Sequence, residues 1–116
     1  MHLDIELALV DAQAERLNEI RAHLPSGFVI RDESSRNWGL VVRSNREEYD
    51  SLSLAITTLL SDLDGFLDQT DEFSRVLRVG VFHESANCTV AIERCDTIAA
   101  HNLSIEISTY PVSASD

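Results

Sequence analysis

RVLRVGVFHESANCTVAIERCDTIAAHNLSIEISTY, residues 75–110, reads as strand, tight turn, strand, helix and strand. Side chains along a strand alternate with period two, so Leu77, Val79 and Val81 share one face of the first run and Cys88, Val90 and Ile92 one face of the second. Glu84-Ser85-Ala86-Asn87 between them has the composition and length of a hairpin turn, which predicts antiparallel pairing. A helix over about 94–101 follows, burying Ile98 with either Cys95 or Ala99. Leu103-Ser104-Ile105-Glu106-Ile107-Ser108 then alternates apolar and polar without a break. That is the pattern of a sheet covered on one side and wet on the other.

Upstream, Leu3, Ile5, Leu7 and Leu9 alternate with Asp4, Glu6 and Ala8, which predicts a first strand. Asp11 is placed as the N-cap of a helix over Ala12 to His23, with Leu17, Ile20 and Leu24 as its apolar stripe and Pro25-Ser26-Gly27 as its stop. Phe28 to Arg31 and Trp38 to Arg43 read as a second hairpin across the polar loop 32–37, with Trp38, Leu40 and Val42 on one face. Tyr49 to Leu67 reads as the longest helix, with Leu52, Ile56, Leu59, Leu60, Leu63 and Leu67 repeating at three and four. The expected fold is α+β: a two-layer sandwich in the order β-α-β-β-α-β-β-α-β. It has a mainly antiparallel sheet of five to six strands and three helices on one face, with residues 1–110 as a single domain and 111–116 as a flexible tail.

A chain of 116 residues removes roughly 65% of its unfolded surface from water, enough for one core. The formal net charge is -11, which opposes nonspecific phosphate binding and favours a basic partner over a nucleic acid. All nine basic residues are arginine. No helix-length apolar run and no charged-then-apolar leader appears, so a cytoplasmic protein without membrane partners is expected. Cys88 and Cys95 are too few for a disulfide scaffold and read as reduced thiols.

The order of an early alternating strand, a Trp-containing strand, a Leu-rich helix and a closing strand that ends in Tyr resembles the domain-of-unknown-function family four-two-seven-nine. The residues that carry the resemblance are Trp38, Leu52 to Leu63, Val79 to Ile92, and Leu103 to Tyr110. The N-terminal third departs from that family's Gly-rich segment before the Trp. The resemblance implies a small bacterial domain of this architecture and brings no agreed catalytic residue with it.

Glycines only at 27, 39, 65 and 80 build no phosphate loop, and no His-Glu-x-x-His helix, Cys-x-x-Cys pair or nucleophile elbow is present. His83, Cys88, Cys95 and His101 have the ligand types of a zinc site, but Cys88 falls on the core face of its strand while the histidines stand at element ends, so no metal is expected. The same dispersal argues against a thiol nucleophile activated by His83 or His101. No catalytic residue and no cofactor is expected. The acidic run 62–72 imitates a calcium loop, but Gly65 is misplaced for one.

Two surfaces remain as recognition candidates. Asp62, Asp64, Asp68, Asp71 and Glu72 gather where a helix ends, a position the macrodipole makes mildly unfavourable, and so suggest a docking patch for a basic protein partner. The outward sheet positions Val29, Val41, Arg43, Arg78, Phe82 and Ala91 suggest an interface. The expected function is therefore a non-enzymatic, acidic protein-binding module, of the immunity or inhibitor type, that neutralises a basic toxin or enzyme. One alternative is a small-molecule-binding or catalytic domain with a pocket between helices and sheet near Trp38, His83 and Tyr110. Another is a homodimer through the open sheet face. Trp38 itself reads either as a core anchor or as a recognition ring.

Overall fold

Five stretches of alternating residues pair into one mixed sheet. In the computed structural model, which describes residues 2–84, 98, 100 and 102–112, the strands are β1 (Leu3–Leu9), β2 (Phe28–Asp32), β3 (Leu40–Ser44), β4 (Arg75–His83) and β5 (Ser104–Pro111). Their order across the sheet is β2-β3-β1-β4-β5. All neighbours are antiparallel except β4 and β5, which run parallel. Parallel neighbours need a crossover connection, and residues 84–103 supply its length. Both edges of β4 are taken, by β1 and β5; the expected turn at 85–87 and strand at Cys88–Ile92 lie outside the described residues.

Three helices lie wholly among the described residues: α1 (Leu17–Arg21), α2 (Leu52–Asp62) and α3 (Asp64–Gln69); of the helix expected over 94–101 only Ile98 and Ala100 are described, both helical, and the rest lies outside the described residues. The architecture is thus the expected α+β two-layer sandwich. Leu3, Ile5, Leu7 and Leu9 of β1, Leu40 and Val42 of β3, and Leu77, Val79 and Val81 of β4 form one buried cluster with Leu52, Ile56, Leu59, Leu60, Leu63, Phe66 and Leu67. Burying each such side chain contributes about 1.5–3 kcal/mol. Among the described residues no helix is long and apolar enough to cross a membrane.

Several local expectations are corrected. The helix over Tyr49 to Leu67 is two helices. Ser51 caps the first by accepting a hydrogen bond from the Leu54 amide (3.1 Å), and the chain breaks at Leu63, whose φ of -96° and ψ of 9° leave the helical basin. The helix over Ala12 to His23 shrinks to a 3-10 turn at Ala14–Arg16 followed by α1. Asp11 does not cap it. Its carboxylate instead accepts from the Ser74 amide at 2.8 Å and ties the end of β1 to the start of β4.

Trp38 is not part of the core. It is 39% exposed and precedes β3 instead of belonging to it. Asn37 and Gly39 on either side have φ of 61° and 70°, and this pair of left-handed residues breaks the alternation that would have carried the ring inward with Leu40. The ring is delivered to the other face of the sheet.

Asp32 ends β2 and organises the turn ahead of Trp38. Its Oδ1 accepts from the Ser34 hydroxyl at 2.6 Å and the Ser34 amide at 2.9 Å. These bonds, the hydroxyl's first, hold the carboxyl below its ordinary pKa of 3.8. A lowered folded-state pKa means that the turn's stabilisation is complete above the ordinary value and is lost as pH falls through the lowered one. Carboxyl-resolved NMR titration is expected to show Asp32 ionising below 3.8, and Ser34→Ala is expected to move that midpoint back up.

Candidate functional site

On the face of the sheet turned away from the helices, register sets side chains in rows, and three of these rows build the site. In the first, Arg43 of β3 lies opposite Glu6 of β1, Glu6 opposite Arg78 of β4, and Arg78 opposite Glu106 of β5. Charge alternates across four strands. The second row is small, with Asp4 opposite Gly80 and Gly80 opposite Ser108. The third is aromatic: Phe82 lies opposite Tyr110 and stacks on it with centroids 5.3 Å apart, while His2 meets the Phe82 ring edge-on at 5.0 Å.

A groove of about 450 Å³ follows the small row. It is lined by Asp4, Glu6, Trp38, Arg78, Gly80, Glu106, Ser108 and Tyr110. Gly80 makes the floor, and a Cβ there would stand 3.1 Å from Cε2 of Tyr110, so the tyrosine ring leans over the glycine. Trp38 closes the opposite wall. The Arg78 guanidinium lies 4.7 Å from the Trp38 ring centroid and that of Arg36 lies 5.8 Å away, both within cation–π range.

The carboxylates of this face are held in ion pairs. Glu6 Oε1 accepts from Arg31 Nη2 at 3.0 Å and from Arg43 Nη1 at 3.4 Å. Asp4 pairs with Arg43. Arg78 donates from Nε to Glu106 Oε2 at 3.2 Å, while its Nη1 is buried with no hydrogen-bond partner among the described residues.

Of the sheet-face candidates, Arg43, Arg78, Phe82 and Val29 do point away from the helices, and Val29 is 45% exposed. Val41 also points outward, but it is corrected as a contact residue because it is fully buried. The Arg31 side chain crosses over β3 to reach Glu6 on β1, and an arginine stem covers apolar surface while its head stays polar. Ala91 lies outside the described residues.

The acidic segment sits on the helical side and does not meet the groove. The break at Leu63 changes its electrostatics. Asp62 ends α2, but Asp64 falls in the first turn of α3, where a carboxylate suits the positive end of a helix. Glu72 accepts from Arg16 Nη2 at 2.9 Å. Asp68 and Asp71 face Arg75, which is 7% exposed and donates from Nη1 to the Leu67 carbonyl at 2.6 Å. Burial pushes the Arg75 guanidinium below its ordinary value, and Asp71 and Asp68 act against that shift. Much of the segment therefore has a structural reason to be acidic.

Trp38 and Tyr110 do come together, but on the open face of the sheet and not between helices and sheet. His83 is not with them. It borders a second hollow with His2, Phe82, Glu84 and Val112. Cys88, Cys95 and His101 lie outside the described residues, and among the described residues no group of three or more metal-ligating side chains gathers.

Reading the sequence missed Asp4, Gly80 and Ser108 as groove residues. Their signal was phase: Gly80 shares a face with Arg78 and Phe82, and Ser108 with Glu106 and Tyr110. Compared with known proteins, the chain matches no family model, no curated protein and no solved structure.

Proposed function

We propose that this protein is a non-catalytic binding module for a basic protein partner, of the kind that masks or neutralises a toxin or enzyme, and that it binds through the open face of its sheet. One observation carries the reading. Of the six large apolar residues exposed among the described residues, Val29, Trp38 and Tyr110 lie on that face, and Val112 borders the hollow beside Phe82. Aromatic side chains ringed by polar groups are the usual composition of a binding hot spot.

The net charge of -11 selects a basic partner and speeds its approach, with the carboxylates at 62–72 adding to the field from the helical side. Asp4, Glu6 and Glu106 each pair with an arginine of the same face, an arrangement that suits recognition. Val41 contributes no contact in this reading. Arg43 and Arg78 do.

The test compares wild type with the Trp38→Ala, Tyr110→Ala double variant as bait in affinity capture from the native cells, at low and at several-fold higher salt. The expected result is a basic protein retained by wild type at low salt, released at high salt, and absent from the double variant. Retention of the same partner by both baits overturns the choice of surface. A wild-type mass near twice that of the monomer, lost in the double variant, assigns the face to self-association instead.

A further inference from the structure

We infer that the groove between Trp38 and Tyr110 is a receptor for a guanidinium side chain of the basic partner, and that Arg78 occupies part of it in the free protein. The inference rests on the open-face reading and adds the chemistry that the face recognises.

Three observations converge on it. First, the groove is lined by two aromatic side chains and by three carboxylates, those of Asp4, Glu6 and Glu106. Ring faces are negative, and Glu106, which pairs with Arg78 in the free protein, becomes available when Arg78 leaves, so the rings and this carboxylate favour a cation in a protein whose overall field also favours one. Second, a guanidinium is already accommodated there. The Arg78 guanidinium lies 4.7 Å from the Trp38 centroid and donates one hydrogen bond, from Nε to Glu106, and a planar guanidinium suits a ring face better than a compact ammonium does. Third, that occupancy is incomplete. Arg78 Nη1 is buried with no hydrogen-bond partner among the described residues, a condition that costs stability, so displacing Arg78 from the ring gives up a poorly satisfied contact.

The small row provides the space. With Gly80 as floor and Ser108 at its edge, the groove between the Trp38 wall and the leaning Tyr110 ring encloses about 450 Å³. An arginine from a partner enters there flat. It stacks against aromatic faces and takes Glu106 as its carboxylate, and Arg78 swings off the ring toward solvent.

Trp38 is the single tryptophan of the chain, so its emission reports on the groove directly. The probe is a short acetylated and amidated peptide rich in arginine, titrated alongside its lysine and glutamate counterparts at low salt. A saturable change in Trp38 emission with the arginine peptide is expected. The lysine peptide should bind more weakly, and the glutamate peptide should give no response. Arg78→Ala, which vacates the ring, should tighten arginine-peptide binding about two- to fivefold, the size of one exposed cation–π contact. Glu106→Gln, at an exposed position, should weaken it by about threefold or more. Equal responses to all three peptides, no response at all, or an Arg78→Ala variant that binds more weakly overturns the guanidinium assignment. Loss of partner capture in the Trp38, Tyr110 double variant alongside a silent peptide titration would leave the open-face reading standing and remove this one alone.

Discussion

Gly39→Ala is expected to unfold most of the protein at temperatures where wild type is intact. An added Cβ would overlap the Leu9 carbonyl oxygen and come within 2.7 Å of the Val10 carbonyl oxygen, and φ is 70°. The neighbours are backbone at the end of β1, so nothing flexible can give way. Left-handed geometry costs an alanine about 1–2 kcal/mol, and overpacking against a fixed wall costs about 1–3 kcal/mol more. A loss of at least about 3 kcal/mol lowers the thermal midpoint of a domain this size by on the order of 10 °C or more. Gly27→Ala is the control. Its φ is 88° but nothing lies within 4 Å of an added Cβ, so only the conformational cost applies. Equal midpoints for the two variants in a thermal melt would refute the backbone clash. Trp38 emission provides a second readout, because Gly39 is half of the device that turns the ring outward.

Arg75→Ala is the second large effect. Arg75 Nη1 donates to the Leu67 carbonyl at 2.6 Å in a buried position, beside Thr70, whose hydroxyl donates to the Phe66 carbonyl at 2.9 Å. Together they satisfy the C-terminal carbonyls of α3. Removing the guanidinium leaves a buried carbonyl without this donor and two carboxylates, Asp68 and Asp71, without their counter-charge. A loss of about 2–4 kcal/mol is expected in urea unfolding at neutral pH. Asp71→Asn gives up only one exposed charge and should cost about 1 kcal/mol or less. If Arg75→Ala unfolds within about 0.5 kcal/mol of wild type, its role as the support of the acidic corner is wrong.

The two variants bear on the two surfaces that the sequence offered for recognition. By sequence the acidic run is an unexplained concentration of charge, because the Leu periodicity runs through Leu63 without interruption and places Asp62 to Glu72 at the end of one long helix. A helix break at a leucine has no compositional marker. The backbone leaves the helical basin at Leu63, and both turns remain buried in the same core. With the break in place, Asp64 opens a helix and Asp68 and Asp71 serve Arg75, so the charge that remains to be explained by a partner is smaller. The open face moved the other way. Alternation places Val29, Arg43, Arg78 and Phe82 on the outward face, as the strand pairing has them, and the left-handed Gly39 adds Trp38 to it.

What the amino-acid order determined by itself was everything carried by period: which residues of each strand look inward, and which leucines of 52–67 meet them. Those are local properties, because alternation on a strand and the three–four repeat on a helix depend only on neighbours in the chain. What the tertiary structure alone decided was lateral: that Arg43, Glu6, Arg78 and Glu106 fall into one row, that Gly80 and Ser108 align into a trough beside them, and that β5 lies parallel to β4 with Tyr110 brought over Gly80. Strand order and register are set by closure of the whole core. Residues about thirty to seventy positions apart in the chain become neighbours only when every inward face is satisfied at once, and the groove exists only in that arrangement.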